Sequence, residues 1–184
     1  MTTNKKRFIG IAMVVLVAGI INSSWIFYPL SVRQRSSAWN VGGENEEKEG
    51  GVLIQTRSNN CGPTALQMIF DYYKIPSTVG EIERNVRMTE NGATMLGLKH
   101  MAEFKGLHAE GWRLTLNDFA KSSFPLLLFV RNDHFVVADS IRNHIVFVRD
   151  PAIGKVRIPE GKLHKIWQGE ALVFSKNKNL ARRF

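Results

Sequence analysis

The stretch PLLLFVRNDHFVVADSIRNHIVFVRD, residues 125–150, holds three short runs of branched and aromatic residues separated by polar turns. Runs of this length, bounded by Asn, Asp and Ser, read as β-strands. The expected strands are 125–132, 134–140 and 144–150, with a fourth, ALVF, at 171–174. The connections, Asn132 with Asp133 and then 141–143, are too short for a crossover, so neighbouring strands pair antiparallel. Upstream the hydrophobic period changes. Leu66, Ile69, Phe70 and Tyr73 fall at the i, i+3, i+4, i+7 spacing of one buried helix face, with Asn60 placed to cap it and Pro63 in the first turn, where a missing N–H is no loss. A second helix is expected from Thr78, with Glu81 as its capping-box partner, and a third over 94–105, ended by Gly106. Helices come first and the sheet second, which makes an α+β domain.

The chain has 184 residues, 44% hydrophobic and 22% charged, which fits one globular domain with a short appended segment. Its formal charge is +9, but Lys5, Lys6, Arg7, Arg33 and Arg35 lie in the first 35 residues with no acid among them. The remainder, 20 basic against 16 acidic residues, is spread without a basic helix or a zinc-finger or RNA-binding signature. Nucleic acid is therefore not an expected partner, and anionic lipid accounts better for the excess charge. A single cysteine excludes an internal disulfide framework and every multi-cysteine metal site. Neither a metal nor an organic cofactor is expected.

Residues 8–30, FIGIAMVVLVAGIINSSWIFYPL, carry no charge, and roughly 20 apolar residues span a bilayer as a helix. Lys5, Lys6 and Arg7 precede the stretch, and Trp25 and Tyr28 sit near its far end, where aromatic rings favour the membrane interface. The reading is a basic cytoplasmic segment at 1–7, a single transmembrane anchor at 8–30, a Ser-, Asn-, Gly- and Glu-rich linker at 31–51, a compact domain at 52–176 and a basic tail at 177–184. The positive-inside rule puts the domain outside the cytoplasm, as part of a single-pass inner-membrane protein. A cleaved signal peptide, leaving a secreted or periplasmic protein, is the alternative. Gly42 and Gly43 read as flexible linker glycines.

Cys61 would open the first helix, where unpaired N–H groups and the helix dipole favour a thiolate, the reactive form of the side chain. Gly62 beside it removes a side chain that could obstruct an approaching peptide. A cysteine nucleophile needs a base. His100 and His164 lie in polar surroundings and read as surface residues, while His108 and His144 border strands as polar edge positions. His134 instead opens an apolar strand at the rim of the sheet. The next strand ends at Asp150, and antiparallel pairing returns the two to one end of the sheet, where Asp150 can hold the imidazole in the useful tautomer. Asp150 followed by Pro151 also reads simply as a turn. Asp133 is a weaker partner, since adjacent strand residues point to opposite faces. Negative charge on the scissile oxygen needs donors, for which the Cys61 N–H and the amide of Gln55 are candidates.

Taken together, Gln55 with five residues before Cys61-Gly62-Pro63, then His134-Phe135-Val136-Val137, Asp150-Pro151-Ala152-x-Gly154 and Trp167-x-Gly169 resemble the bacteriocin-processing C39 peptidases, in that family's order and spacing. The resemblance runs over about residues 52–174. It implies a papain-like fold and cleavage after a Gly-Gly pair, with Cys61 as nucleophile, His134 as base and then acid, Asp150 as orienting residue and Gln55 as oxyanion donor. Family members often form the N-terminal domain of an exporting ABC transporter. Here an anchor precedes the domain and no transport or ATPase domain follows. The expected activity is a cysteine endopeptidase working through a thioester on a peptide or protein substrate near a secretion apparatus. The alternatives are a catalytically silent, membrane-tethered peptide-binding module and a thiol acyltransferase or amidase on the same fold.

Overall fold

The computed structural model describes residues 51–177. The basic segment, the expected anchor at 8–30, the linker up to residue 50 and the tail from 178 lie outside them. Among the described residues no helix is long and apolar enough to cross a membrane.

The elements follow in the order α1 (Cys61–Tyr73), α2 (Val79–Asn85), α3 (Met95–Phe104), β1 (His108–Arg113), α4 (Leu116–Lys121), β2 (Leu126–Val130), β3 (His134–Arg142), β4 (Ile145–Asp150), β5 (Gly154–Pro159), α5 (Glu160–Leu163) and β6 (Trp167–Ser175). The six strands form one sheet, ordered β1-β6-β2-β3-β4-β5, with every pair antiparallel. The last strand in sequence, β6, thus lies between β1 and β2. Helix α1 packs against β3 and β2, α3 against β1, and α2 against α1.

Leu66, Ile69 and Phe70 on α1 are fully buried and join one core with Phe135, Val137, Leu172 and Phe174 of the sheet. Burying each of these side chains contributes about 1.5–3 kcal/mol. Tyr73 completes the stripe, its phenol donating to the Phe174 carbonyl at 3.0 Å. Lys74 closes α1 in the left-handed conformation at φ 59, with its N–H turned back to the carbonyls of Phe70 and Asp71. The Thr78 hydroxyl accepts from the Glu81 N–H at 3.2 Å at the expected start of α2, and the Thr94 hydroxyl caps α3 in the same way, accepting from the Gly97 N–H at 3.0 Å. Gly106 follows α3 with φ +79.

Several expectations change in detail. Asn60 occupies the cap position of α1, but its side chain makes no cap hydrogen bond and is turned into the preceding loop. The β2–β3 turn begins earlier than Asn132, since Val130 pairs with His134 and both Arg131 and Asn132 have positive φ. Strand β3 runs on to Arg142, opposite Ile145, and Asn143 and His144 at φ 49 and 60 make the two-residue hairpin connection that such angles favour. Strands β1 and β5 were not expected. They are the two sheet edges, and HAEGWR and GKVRIP lack the branched, alternating makeup of the inner strands. Helix α4 was missed too, although its capping box, Thr115 with Asp118, is visible in sequence.

Candidate active site

Cys61 is the first residue of α1, 6% exposed, at the junction of that helix with the sheet. Its N–H is one of the four amides that helix geometry leaves without an intrahelical acceptor. Gly62 lies under α3 and β3: a Cβ there would sit 3.1 Å from Leu98 and 3.2 Å from Phe135. The glycine therefore lets the start of the helix pack closely, a role not foreseen from the sequence.

His134 opens β3, and its Nε2 lies 2.7 Å from Asp150 Oδ1. The strand register explains the approach. Val137 opposes Arg149 across β3 and β4, which sets Asp150 next to Val136 and diagonal to His134. The two side chains are 14% and 1% exposed, so this contact is screened little by water. With Nε2 engaged by the carboxylate, Nδ1 is the ring nitrogen left to interact with the Cys61 thiol, and each of the two groups shifts the other's titration. Asp150 also begins a turn. The same Oδ1 accepts the Ala152 N–H at 2.7 Å, the Asp150 carbonyl accepts from Ile153 at 3.3 Å, and Gly154 at φ +104 pairs back to Asp150. The turn and the histidine contact are two uses of one carboxylate.

Electrostatics polarise the pair. Burial pushes the Cys61 thiol up, but the hydrogen bond and charge of His134, with the backbone N–H groups of Phe135 and Gly62, outweigh it, and the thiol falls below its ordinary value. Burial likewise pushes His134 down, yet the Asp150 hydrogen bond, the Cys61 hydrogen bond and the two negative charges raise it to about 9. Both shifts act in the direction of a thiolate facing an imidazolium.

Gln55 is tied to the same end of the sheet through its main chain, whose N–H donates to the Pro151 carbonyl at 2.8 Å. Its side chain is turned to a neighbour in its own loop: Nε2 donates to the Arg57 carbonyl at 2.7 Å, while Oε1 is buried without a hydrogen-bond partner. The structure thus gathers Cys61, His134 and Asp150 by direct contact, whereas Gln55 joins them through the Asp150 turn. His100 and His164 are exposed, and His108 and His144 pair with Glu110 and Glu160. Among the described residues no group of three or more His, Cys, Asp or Glu is placed to hold a metal ion.

The Trp167-x-Gly169 block serves packing. Trp167 donates to the Glu170 carbonyl at 2.8 Å and meets Phe119 edge-on at 5.1 Å, and Gly169 at φ +102 would put a Cβ 2.6 Å from the Leu114 carbonyl oxygen. The loop before Cys61 holds a network not foreseen from sequence. Asn60, 1% exposed, accepts from the Arg57 N–H at 3.1 Å and donates to Thr56 Oγ1 at 3.2 Å and Glu83 Oε1 at 2.9 Å. Nothing in the local sequence around Glu83 signals that contact.

A thiol at the start of a helix, an imidazole at the start of β3 and a carboxylate at the end of β4, on helices packed against an antiparallel sheet, are the arrangement that a cysteine peptidase would use. The chain belongs to the Peptidase C39 family, whose sequence profile matches residues 51–179. An uncharacterized protein of Methanothermobacter thermautotrophicus is 30% identical over 125 residues, covering 68% of this chain and 88% of that protein. The colicin V secretion/processing ATP-binding protein of Escherichia coli is 27% identical over 121 residues, covering 66% of this chain and 17% of that much longer protein. Among solved structures, a double glycine motif protease from an AMS/PCAT transporter, in complex with its leader peptide, superposes with a TM-score of 0.65 at 26% identity, covering 68% of this chain and 91% of the other. The peptidase domain of Streptococcus ComA shares the fold, with a TM-score of 0.65 at 20% identity, covering 70% of this chain and all of that domain.

Proposed function

We propose that this chain is a cysteine endopeptidase of papain-like fold that cleaves a peptide or protein substrate after a Gly-Gly pair. The observation that carries the reading is His134 held between the Asp150 carboxylate and the Cys61 thiol. The thiolate attacks the scissile carbonyl carbon, and the developing oxyanion takes hydrogen bonds from the Cys61 N–H and the second N–H of the Gln55 amide, the first being held by Arg57. His134 protonates the departing amine as the thioester forms, then takes a proton from the water that hydrolyses it. Asp150 keeps the ring oriented through both steps. The Gly-Gly preference draws on the solved double glycine motif protease, and the link to export on the secretion/processing relatives.

The test is cleavage of a Gly-Gly-containing peptide by the full chain. Wild type cuts after the second glycine, and Cys61→Ala and His134→Ala each lose the activity by a factor on the order of 10³ or more. Full cleavage by either variant overturns the reading. Peptide binding without cleavage by the wild type would make the chain a tethered binding module, and capture of the acyl group by an added amine in preference to water would make it an acyltransferase.

In the same proposal residues 8–30 anchor the protein in the inner membrane, with the domain on the extracytoplasmic side; the uncharged run and the basic residues before it support this. Alkaline carbonate extraction should leave the full chain in the membrane pellet and release a variant lacking 8–30. Release of the full chain removes the anchor from the account.

A further inference from the structure

The loop between Gln55 and Cys61 has no regular secondary structure of its own, so its shape is set by side-chain and turn hydrogen bonds. At one end the Gln55 N–H is fastened to Pro151 beside the Asp150 turn. At the other, Asn60 is buried directly before the nucleophile. Between them Arg57 is held three ways. Its N–H donates to Asn60 Oδ1 at 3.1 Å, its guanidinium pairs with the Glu83 carboxylate, and its carbonyl takes one N–H of the Gln55 amide at 2.7 Å. Glu83 belongs to α2, outside the loop, and its other carboxylate oxygen accepts from Asn60 Nδ2 at 2.9 Å. One carboxylate therefore grips both the residue that orients the Gln55 amide and the residue that precedes Cys61. Its own side chain is 19% exposed, which limits the water that could take over either bond. The Gln55 Oε1 adds a second observation: among the described residues it has no protein donor, so the hydrogen bond from Nε2 to Arg57 is the side chain's one protein contact of this kind.

We propose that Glu83 is a positioning residue for the site, acting through Arg57 and Asn60 to aim the free N–H of the Gln55 amide at the oxyanion. The inference rests on the oxyanion role given to Gln55 under the proposed function. Glu83 itself touches no reacting atom. Losing it frees the Arg57 guanidinium, leaves Asn60 Nδ2 with Thr56 alone, and lets the loop carry Gln55 away from its bearing, while the contacts among Cys61, His134 and Asp150 are untouched.

The experiment compares wild type, Glu83→Ala, Glu83→Gln, Gln55→Ala and the double variant Glu83→Ala/Gln55→Ala in the full chain, with three readouts: the pH dependence of Cys61 alkylation by iodoacetamide, kcat and KM on the Gly-Gly peptide, and affinity for the corresponding peptide aldehyde, measured as protection of Cys61 from alkylation. The aldehyde forms a hemithioacetal whose oxygen occupies the oxyanion position, so it reports donor placement without turnover. Glu83→Ala should leave the alkylation profile at wild type, lower kcat about tenfold with little change in KM, and weaken the aldehyde about tenfold. Glu83→Gln keeps an acceptor for Asn60 and should recover part of the loss. The double variant should be no slower than Gln55→Ala alone, because both act through one donor. Multiplying losses in the double variant, an unchanged kcat and aldehyde affinity in Glu83→Ala, or an alkylation profile that collapses with Glu83 would each overturn the proposal, the last by showing a merely structural role. A wild type that binds the aldehyde in a Glu83-dependent manner yet cleaves no peptide would sink the peptidase reading and leave the positioning role standing.

Discussion

At the scale of single residues, the site rests on an exchange of one proton. In the folded protein the thiol of Cys61 is lowered and the imidazole of His134 is raised to about 9, so the two shifts draw the proton from sulfur toward nitrogen. His134→Ala removes the hydrogen bond and the charge that lower Cys61 and leaves the burial that raises it. Alkylation of Cys61 at pH 7 should then slow by on the order of tenfold or more, read as a second-order rate with iodoacetamide. Asp150→Asn removes the charge that helps raise His134, so the alkaline limb of the cleavage rate should move below about 9, as measured by kcat/KM against pH. Stability follows with opposite signs for the two partners. The raised His134 contributes stability that is full below its unfolded value of about 6.5 and lost as pH climbs through about 9. The lowered Cys61 contributes stability that is full above its unfolded value of 9.0 and lost as pH falls through its folded value. Between those limits the two contributions change with pH in opposite directions, so urea midpoints taken from pH 7 to 8.5 should show less slope in the wild type than in either single variant, Cys61→Ala or His134→Ala. A wild-type slope as steep as that of either single variant would contradict the opposed shifts. Cys61, His134 and Asp150 were legible in sequence because strand register and helix start are local features. The aim of the Gln55 amide was not, since it depends on a carboxylate from a different helix.

Elements carry the site through their turns. Two glycines separate steric from conformational demands. Gly92, at φ +97, would press a Cβ to 2.7 Å from the Asn59 carbonyl oxygen, within the loop that ends at Cys61. Gly154, at φ +104, has open space around the same position. Gly154→Ala should therefore cost about 1–2 kcal/mol from backbone strain alone, whereas Gly92→Ala should cost more, about 2–4 kcal/mol, because backbone must also move. Urea unfolding of both variants checks this, and equal costs would remove the steric argument. The inner strands and the first helix could be read from periodicity, since each buries a continuous face, and the second helix from its cap, since only Ile82 of it is buried. The edge strands could not. HAEGWR is held by a partner remote in sequence, Glu170 to Ser175, and GKVRIP, although it forms a hairpin with β4, carries in its composition little of the branched pattern that marks a strand. Asn60 misled in another way, as an N-cap residue type at an N-cap position whose amide is claimed by Arg57, Thr56 and Glu83.

For the whole molecule, the governing fact is the strand order. β6 comes last in the chain and sits inside the sheet, hydrogen-bonded to β1 on one side and β2 on the other. A chain ending before Trp167 would expose the flank of β2 and leave Leu127, Phe135 and Val137 without Leu172 and Phe174 in the shared core. Such a truncation should not fold, giving no cooperative urea transition, whereas a chain ending at Asn177 should retain one. The same order sets a clock on biosynthesis. Cys61 leaves the ribosome more than a hundred residues before Phe174, yet the sheet that bears His134 and Asp150 cannot close until that final strand emerges and inserts. On the proposed function, the order of synthesis would thereby hold the peptidase inert until its own last strand is in place.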